Sequence, residues 1–350
     1  MYKVIEELRK IKSFSVKVVS TGQHGDMLAD VLGALGCAVD KDLKIMKAGQ
    51  SLSMITASVL EKISEVLEDF SPSLVVVHGD TSSAFAAALA AFYKKIAVAH
   101  VEAGLRSNDM GNPFPEEFNR VAISRMAKYH FAPTEDARLN LIKEGVSGAD
   151  IFVTGNTVID SVKDNIDSGY TSDILPSADF ILLTAHRREN MPQGLAEIFC
   201  ACSRLAGEFP YTEIIYPIHK NERIREIAEK ILKGHKNVKI IEPLMPYDFH
   251  NLLCRCKFVI TDSGGIQEEA AYLGKPVLLA RKCTERKELL SLSSVKLVGT
   301  DENSIYQNAK KLLKDSEAYK KMVRPTNVLG NGYASKQISK VLSEILCTQG

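Results

Sequence analysis

Short apolar runs alternate with longer amphipathic stretches along almost the whole chain, and this rhythm limits the fold more than any other feature. Candidate strands are Val16–Ser20, Leu74–His78, Ile96–Val101, His130–Ala132, Ile151–Val153, Phe180–Thr184, Glu213–Tyr216, Val238–Ile241, Phe258–Thr261 and Pro276–Leu279. Each is short, apolar and bounded by turn residues. Helical patterns lie between them, as at Ser82–Tyr93, Thr134–Glu144, Arg223–Leu232 and Ile266–Tyr272. Parallel strands need long crossovers, and helices supply them, so the alternation predicts an α/β architecture of parallel sheets.

At 350 residues the chain is long for one core, and 45% hydrophobic residues can fill two. The polar stretch Asn165–Ala178 (NIDSGYTSDILPSA) carries Gly, Pro and Ser with little periodicity, which predicts a boundary there. Two doubly wound domains are expected, over residues 1–168 and 169–334, with a last helix within 335–350 packing back on the first. In such sheets ligands bind beyond the carboxyl ends of the strands, so an active site is expected in an interdomain cleft. The start departs from this plan. It opens in a helical pattern (Val4, Ile5, Leu8, Ile11) and reaches a strand only near Val16, so the usual opening strand and its phosphate-facing loop are expected to be absent. That strand belongs between those at Val16 and Leu74. Its omission is expected to leave unpaired backbone on both, and an upstream extension to restore stability and activity.

Charge is balanced, 44 basic against 43 acidic residues, which argues against a nucleic-acid surface. No apolar run is long enough to span a membrane, and MYKVIEELRK does not read as a secretory signal. A cytoplasmic location is expected. The seven cysteines include two CxC pairs but no CxxC, and no metal site is expected.

Three segments carry the chemistry. In FVITDSGGIQEEAAYLGKP an apolar run ends at Thr261, a turn follows at Asp262–Gly265, and a helix begins. Free N–H groups at a helix start bind phosphate, and Ser263 could add a hydroxyl; a tight turn with a serine cap is the plainer reading. Glu269, one turn on, suits the hydroxyls of a ribose. Arg281, Lys282, Arg286 and Lys287 form either a solvated loop or, through Arg286, a diphosphate contact. In ILLTAHRREN a strand ends in His186, Arg187, Arg188, Glu189 and Asn190, and YPIHKN repeats the theme with His219 and Lys220. These charges either meet a diphosphate or face water. The third segment is VVVHGDTSS with VAHVEAGLRS and NPFPEEFNR. It sets Asp80, Glu102, Glu116 and Glu117 at successive strand or loop ends. Asp80 could be only an N-cap and Glu116 only a first-turn charge, yet together carboxylates can take a proton and return one.

Taken together, GDT (79–81), HVEAGLRS (100–107), PFPEEFNR (113–120), FAPTE (131–135), TGNTVID (154–160), TAHRREN (184–190), TDSGGIQEEA (261–270), LGKPVL (273–278) and TER (284–286) resemble the non-hydrolysing UDP-N-acetylglucosamine (UDP-GlcNAc) 2-epimerases, in family order over nearly the whole chain. The resemblance implies two Rossmann-like domains in the glycosyltransferase-B arrangement. It implies UDP-GlcNAc and UDP-ManNAc as ligands, no cofactor, a homodimer, and supply of ManNAc-type sugars for cell-surface polysaccharide. It further implies acid/base or elimination roles for Asp80, Glu102 and Glu116, a diphosphate-side role for His186, and nucleotide contacts from Phe249, Ser263, Gly264, Gly265, Glu269 and Arg286. Gln23, Glu116, Arg187 and His219 match the activator site at which many bacterial members bind a second UDP-GlcNAc, although Asp26 stands where the family often has Gln. Two departures are visible: the family's opening strand and GTRPE loop have no counterpart, and its NPYGDG reads Asn327-Val328-Leu329-Gly330-Asn331-Gly332 here. The implied chemistry is expulsion of UDP, loss of the C2 proton to give a 2-acetamidoglucal, and re-addition of UDP with a proton delivered to the opposite face of C2. The alternatives are a UDP-sugar glycosyltransferase of the same fold and an inactive, truncated nucleotide-sugar binding protein.

Overall fold

A computed structural model describes residues 1–22, 33, 36–46, 49–176, 178–187, 190–284 and 286–347. The chain forms two compact units, Met1–Ser161 with Gly330–Gly350, and Val162–Leu329. The division at 161/162 falls earlier than the polar stretch and inside a helix, because the turn residues 166–176 belong with the second unit.

In the first unit, β1 (Val19–Ser20) and β2 (Lys41–Asp42) make a short parallel pair. A separate parallel sheet runs β3 (Leu74–His78), β4 (Ala97–Val101), β5 (Tyr129–Ala132), β6 (Ile151–Val153) in sequence order, and β3 forms its edge. Side chains alternate across this sheet with period two. Val77 and Val98 face the helices α2 (Leu52–Phe70) and α3 (Ser82–Tyr93). Ala99, Val101 and Phe131 face α1 (Tyr2–Arg9) and the chain's last helix, whose Val4, Leu8, Ile338 and Leu342 are buried. Between strands lie α4 (Glu116–Met126) and α5 (Glu135–Lys143), and α6 (Thr157–Asn165) follows β6.

His100 and His130 are register partners on β4 and β5, with 0% and 1% exposure. Burial pushes His100 down to about 3 and His130 down to about 4. Both imidazoles are therefore neutral in the folded chain and gain protons on unfolding below about pH 6.5. Folded pKa values below the unfolded one mean stability present at neutral pH and lost as pH falls toward about 4. Urea midpoints should drop between about pH 7 and pH 5, and His100→Gln with His130→Gln should flatten that drop. A midpoint level over the range would contradict neutral burial.

The second unit is one parallel sheet in the order β12-β11-β10-β7-β8-β9. Its strands are β7 (Phe180–Thr184), β8 (Glu213–Pro217), β9 (Val238–Ile241), β10 (Phe258–Thr261), β11 (Val277–Leu279) and β12 (Val295–Leu297). Its helices are α7 (Gln193–Glu208), α8 (Glu222–Leu232), α9 (Pro246–Arg255), α10 (Gly264–Tyr272), α11 (Lys287–Leu290), α12 (Glu302–Lys314) and α13 (Ser316–Met322). The order reverses between β7 and β10, the switch point at which open sheets leave a crevice for ligands. The last helix, α14 (Ala334–Cys347), belongs to the first unit. The Asp160 carboxylate accepts from Ala334 N and Ser335 N at its start, at 3.0 and 2.7 Å. A Cβ on Gly330 (φ +105°) would meet Gly155 Cα at 2.9 Å, so the variant 327–332 loop keeps the glycine its packing requires.

Candidate active site

In the first unit the candidate site grows from the register of β3 and β4. His78 pairs with Val101, and Gly79 N donates to Val101 O at 3.0 Å, extending the ladder one residue past β3. Gly79 turns at φ +70° and its carbonyl accepts from His100 Nε2 at 2.8 Å. Asp80 follows, and Thr81 caps α3 by accepting from Ala84 N, so the cap is the threonine and not Asp80. Asp80 instead pairs with Arg120 Nη2, while its carbonyl accepts from Asn119 Nδ2 at 2.8 Å.

Glu102, just past β4, has φ +65°, a left-handed conformation that costs a side-chain-bearing residue roughly 1–2 kcal/mol. Its Oε2 lies 3.1 Å from His78 Nε2. His78 did not stand out in the sequence, although a histidine closing an apolar strand before Gly-Asp was the available signal.

The two glutamates of PFPEEFNR differ sharply. Glu117 is 1% exposed, accepts from Ser107 N and Asn108 N at 2.9–3.0 Å, and pairs with Arg120 Nη1 at 3.2 Å. It is occupied in holding the 107–108 loop. Glu116 opens α4 and is half-buried.

In the second unit Asp262 is the organising group. It is fully buried, and its Oδ2 accepts from His186 N (2.9 Å), Arg187 N (2.8 Å) and Asn190 Nδ2 (3.2 Å). One carboxylate thereby fixes the loop after β7 to the turn after β10. Thr184 Oγ1 donates to Thr261 Oγ1 at 2.7 Å across the same two strands. Ser263 stands at the N-cap of α10 without a side-chain cap bond, and Gly264–Gly265 form the first turn. The helix start therefore offers N–H groups and a hydroxyl, the arrangement that binds phosphate.

Arg286 is 7% exposed, and its Nε donates to Glu268, itself 2% exposed. Its backbone N donates to Thr284 Oγ1 at 3.2 Å, and Gln267 Nε2 donates to the same hydroxyl at 3.1 Å. Arg281 is 2% exposed. The loop read as either solvated or functional thus turns both arginines inward, and only Lys282 of that pair-rich run is described as exposed. Glu269 Oε2 lies 3.5 Å from His250 Nε2, whose Nδ1 accepts from Asn165 Nδ2 at 2.9 Å. Phe249 sits half-buried against the His250 ring.

His186 and His219 stack with ring centroids 5.4 Å apart and planes 11° apart. Burial first, and the neighbouring His186 second, hold the His219 imidazole below its ordinary value. Arg187, next to His186 in sequence, is half-buried. Gln23, Arg188, Glu189 and Glu285 lie outside the described residues.

Comparison with known proteins places the chain in a family. The family model described as UDP-N-acetylglucosamine 2-epimerase matches residues 6–343. A UDP-N-acetylglucosamine 2-epimerase of Bacillus subtilis (strain 168) is 46% identical over 98% of this chain and 91% of its own length. One from Escherichia coli (strain K12) is 43% identical over 98% and 94%. Among solved structures, the S. aureus MnaA–UDP co-structure superposes with a TM-score of 0.94 at 42% identity, covering 99% of this chain and 93% of that one. UDP-GlcNAc 2-epimerase from Neisseria meningitidis bound to UDP-GlcNAc gives 0.92 at 41%, covering 98% and 96%. A glycosyltransferase of kitacinnamycin, at 10% identity and a TM-score of 0.66, shares the fold alone. This chain belongs to the UDP-N-acetylglucosamine 2-epimerase family.

Proposed function

We propose that this protein interconverts UDP-GlcNAc and UDP-ManNAc by eliminating UDP and adding it back. The observation that carries the reading is the pair of carboxylates, Asp80 and Glu102, at adjacent strand ends in a chain of this family. Direct removal of the C2 proton is hard, since the acetamido nitrogen on C2 activates it little. Breaking the C1–O bond first gives an oxocarbenium-like ring whose C2 proton is far more acidic. The α10 start at Ser263–Gly265, His186 and Arg286 take the charge that develops on the departing diphosphate. Glu269 takes ribose hydroxyls and Phe249 packs at the nucleotide end. Glu102 accepts the C2 proton, leaving a 2-acetamidoglucal. Asp80 and Glu116 serve the return of a proton on the opposite face as UDP adds again.

The test is incubation with UDP-GlcNAc alone. UDP-ManNAc should accumulate to a fixed ratio from either side. No reaction without an acceptor sugar would favour a glycosyltransferase, and free ManNAc would mark a hydrolysing enzyme. The relatives above 40% identity are named as epimerases, so the glycosyltransferase reading is not favoured.

For the nucleotide end, Arg286→Ala should weaken UDP binding by about 1.5–3 kcal/mol, the scale of a charge-assisted hydrogen bond. Calorimetric titration giving an unchanged Kd would return Arg286 to a purely structural partner of Glu268.

A homodimer is part of the proposal. Phe92, Tyr93 and Phe118 on α3 and α4 are 54%, 65% and 50% exposed, and Phe118 meets Phe85 edge-on at 5.8 Å. Large aromatic side chains gathered on neighbouring helices are what an interface covers. Light scattering should give twice the chain mass, and Phe92→Glu with Phe118→Glu should halve it. A monomer at micromolar concentration would contradict the dimer.

A further inference from the structure

Glu102 needs more than its place at a strand end to work as a base. A glutamate side chain has three rotatable bonds, and freezing them costs conformational entropy. The left-handed backbone at φ +65° fixes where the side chain starts. Something must also fix its tip.

We propose that His78 is a positioning residue for Glu102: its ring N–H holds the carboxylate in the orientation from which Glu102 exchanges a proton with the sugar carbon. The inference rests on the assignment of that proton to Glu102 above. Register brings the two together, since His78 lies opposite Val101 and Glu102 is the next residue. His78 Nε2 stands 3.1 Å from Glu102 Oε2. A carboxylate only accepts, so Nε2 carries the hydrogen and Nδ1 is left to accept, and Nδ1 lies 3.2 Å from the Met1 amino nitrogen. Burial keeps the imidazole below its ordinary pKa, so the ring donates as a neutral group. At this separation Nε2 makes no well-aligned hydrogen bond, and catalytic pairs often tighten only when substrate docks. On its other side the carboxylate lies over Gly79, where a Cβ would stand 3.6 Å from Oε2. Gly79 is itself held by His100 Nε2. The tip of Glu102 therefore has a donor on one flank and a pinned backbone on another.

The experiment compares His78→Leu, His78→Gln, Glu102→Gln and the double variant His78→Leu/Glu102→Gln in the full chain, after melting midpoints confirm folding. His78→Leu should lower kcat roughly 30- to 100-fold with KM for UDP-GlcNAc within about threefold, the usual cost of a misplaced catalytic group. His78→Gln keeps an N–H donor and should recover to within about fivefold of the unaltered protein. In the double variant, loss of His78 should add less than about threefold to the loss from Glu102→Gln, because the two act as one unit. A glutamine variant no better than leucine, a KM that rises in step with the fall in kcat, or losses that multiply would each overturn the inference. If Glu102→Gln alone turns over at the unaltered rate, the assignment of the proton to Glu102 fails, a result distinct from failure at His78.

Discussion

Glu102→Gln should lower kcat by about 10²–10⁴-fold while UDP binds within a few-fold of the unaltered protein, the range general-base removal costs elsewhere. Glutamine keeps the size of the side chain and can still accept from His78, so packing at the end of β4 is preserved. What it loses is the ability to take a proton. Nucleotide affinity should hold because the residues proposed above to meet phosphate and ribose, Ser263–Gly265, Glu269 and Arg286, belong to the other unit. Asp80→Asn should behave alike in rate, although Arg120 then keeps only Glu117 as a charged partner among the ion pairs given above, and some stability should go with it. Glu102→Gly makes the complementary test. It removes the carboxylate and also the left-handed strain at φ +65°, so it should abolish turnover without lowering the melting point. Steady-state rates beside UDP titrations check all three. A UDP affinity that falls as far as the rate would mean that Glu102 binds nucleotide and does not move protons.

Gly104→Ala should cost the protein several kcal/mol, at least about 3, which is a large part of a domain's usual 5–15. The residue follows β4 at φ +88°, and a Cβ there would sit 2.2 Å from the backbone oxygen of Ala137 in α5. That oxygen belongs to a helix and cannot rotate away, so α5 must shift as a whole. The helix is held in place by Asn140 Nδ2, which donates to Gly104 O at 3.0 Å, and by the buried Leu141. Gly145 supplies the control. It has nearly the same backbone, φ +87°, with nothing within 4 Å of its Cβ position. Gly145→Ala should therefore show only the conformational cost, about 1 kcal/mol. The difference between the two substitutions isolates the clash from the strain. Melting points by calorimetry should separate them by roughly 4–10 °C. Equal shifts would mean that α5 yields to the methyl group.

The alternating pattern made the α/β class readable because parallel strands are buried on both faces and largely apolar, as Phe180–Thr184 and Phe258–Thr261 are. Two strands escaped it for the opposite reason. Lys41–Asp42 is polar and exposed, and Val295–Leu297 is three residues long with a lysine at its centre. The site motifs were visible as charges at strand ends, but strand order was not. Only the adjacency of β7 and β10 makes Asp262 the anchor of the His186–Asn190 loop, and no local pattern encodes a pairing 72–76 residues apart. The same limit hid which of Glu116 and Glu117 is buried, since one step around a helix start separates a half-buried carboxylate from a fully buried one. It also hid the burial of Arg281 and of Arg286, the latter held by Glu268 and Thr284.

The central claim is that the C2 proton leaves the sugar during the reaction, and solvent isotope tests it directly. UDP-GlcNAc incubated with this protein in D2O and followed by proton NMR should lose its C2 signal as UDP-ManNAc forms, with deuterium at C2 of the product from the first turnover. Small amounts of UDP and 2-acetamidoglucal should appear at equilibrium. UDP-ManNAc that forms with its C2 hydrogen intact would contradict the account.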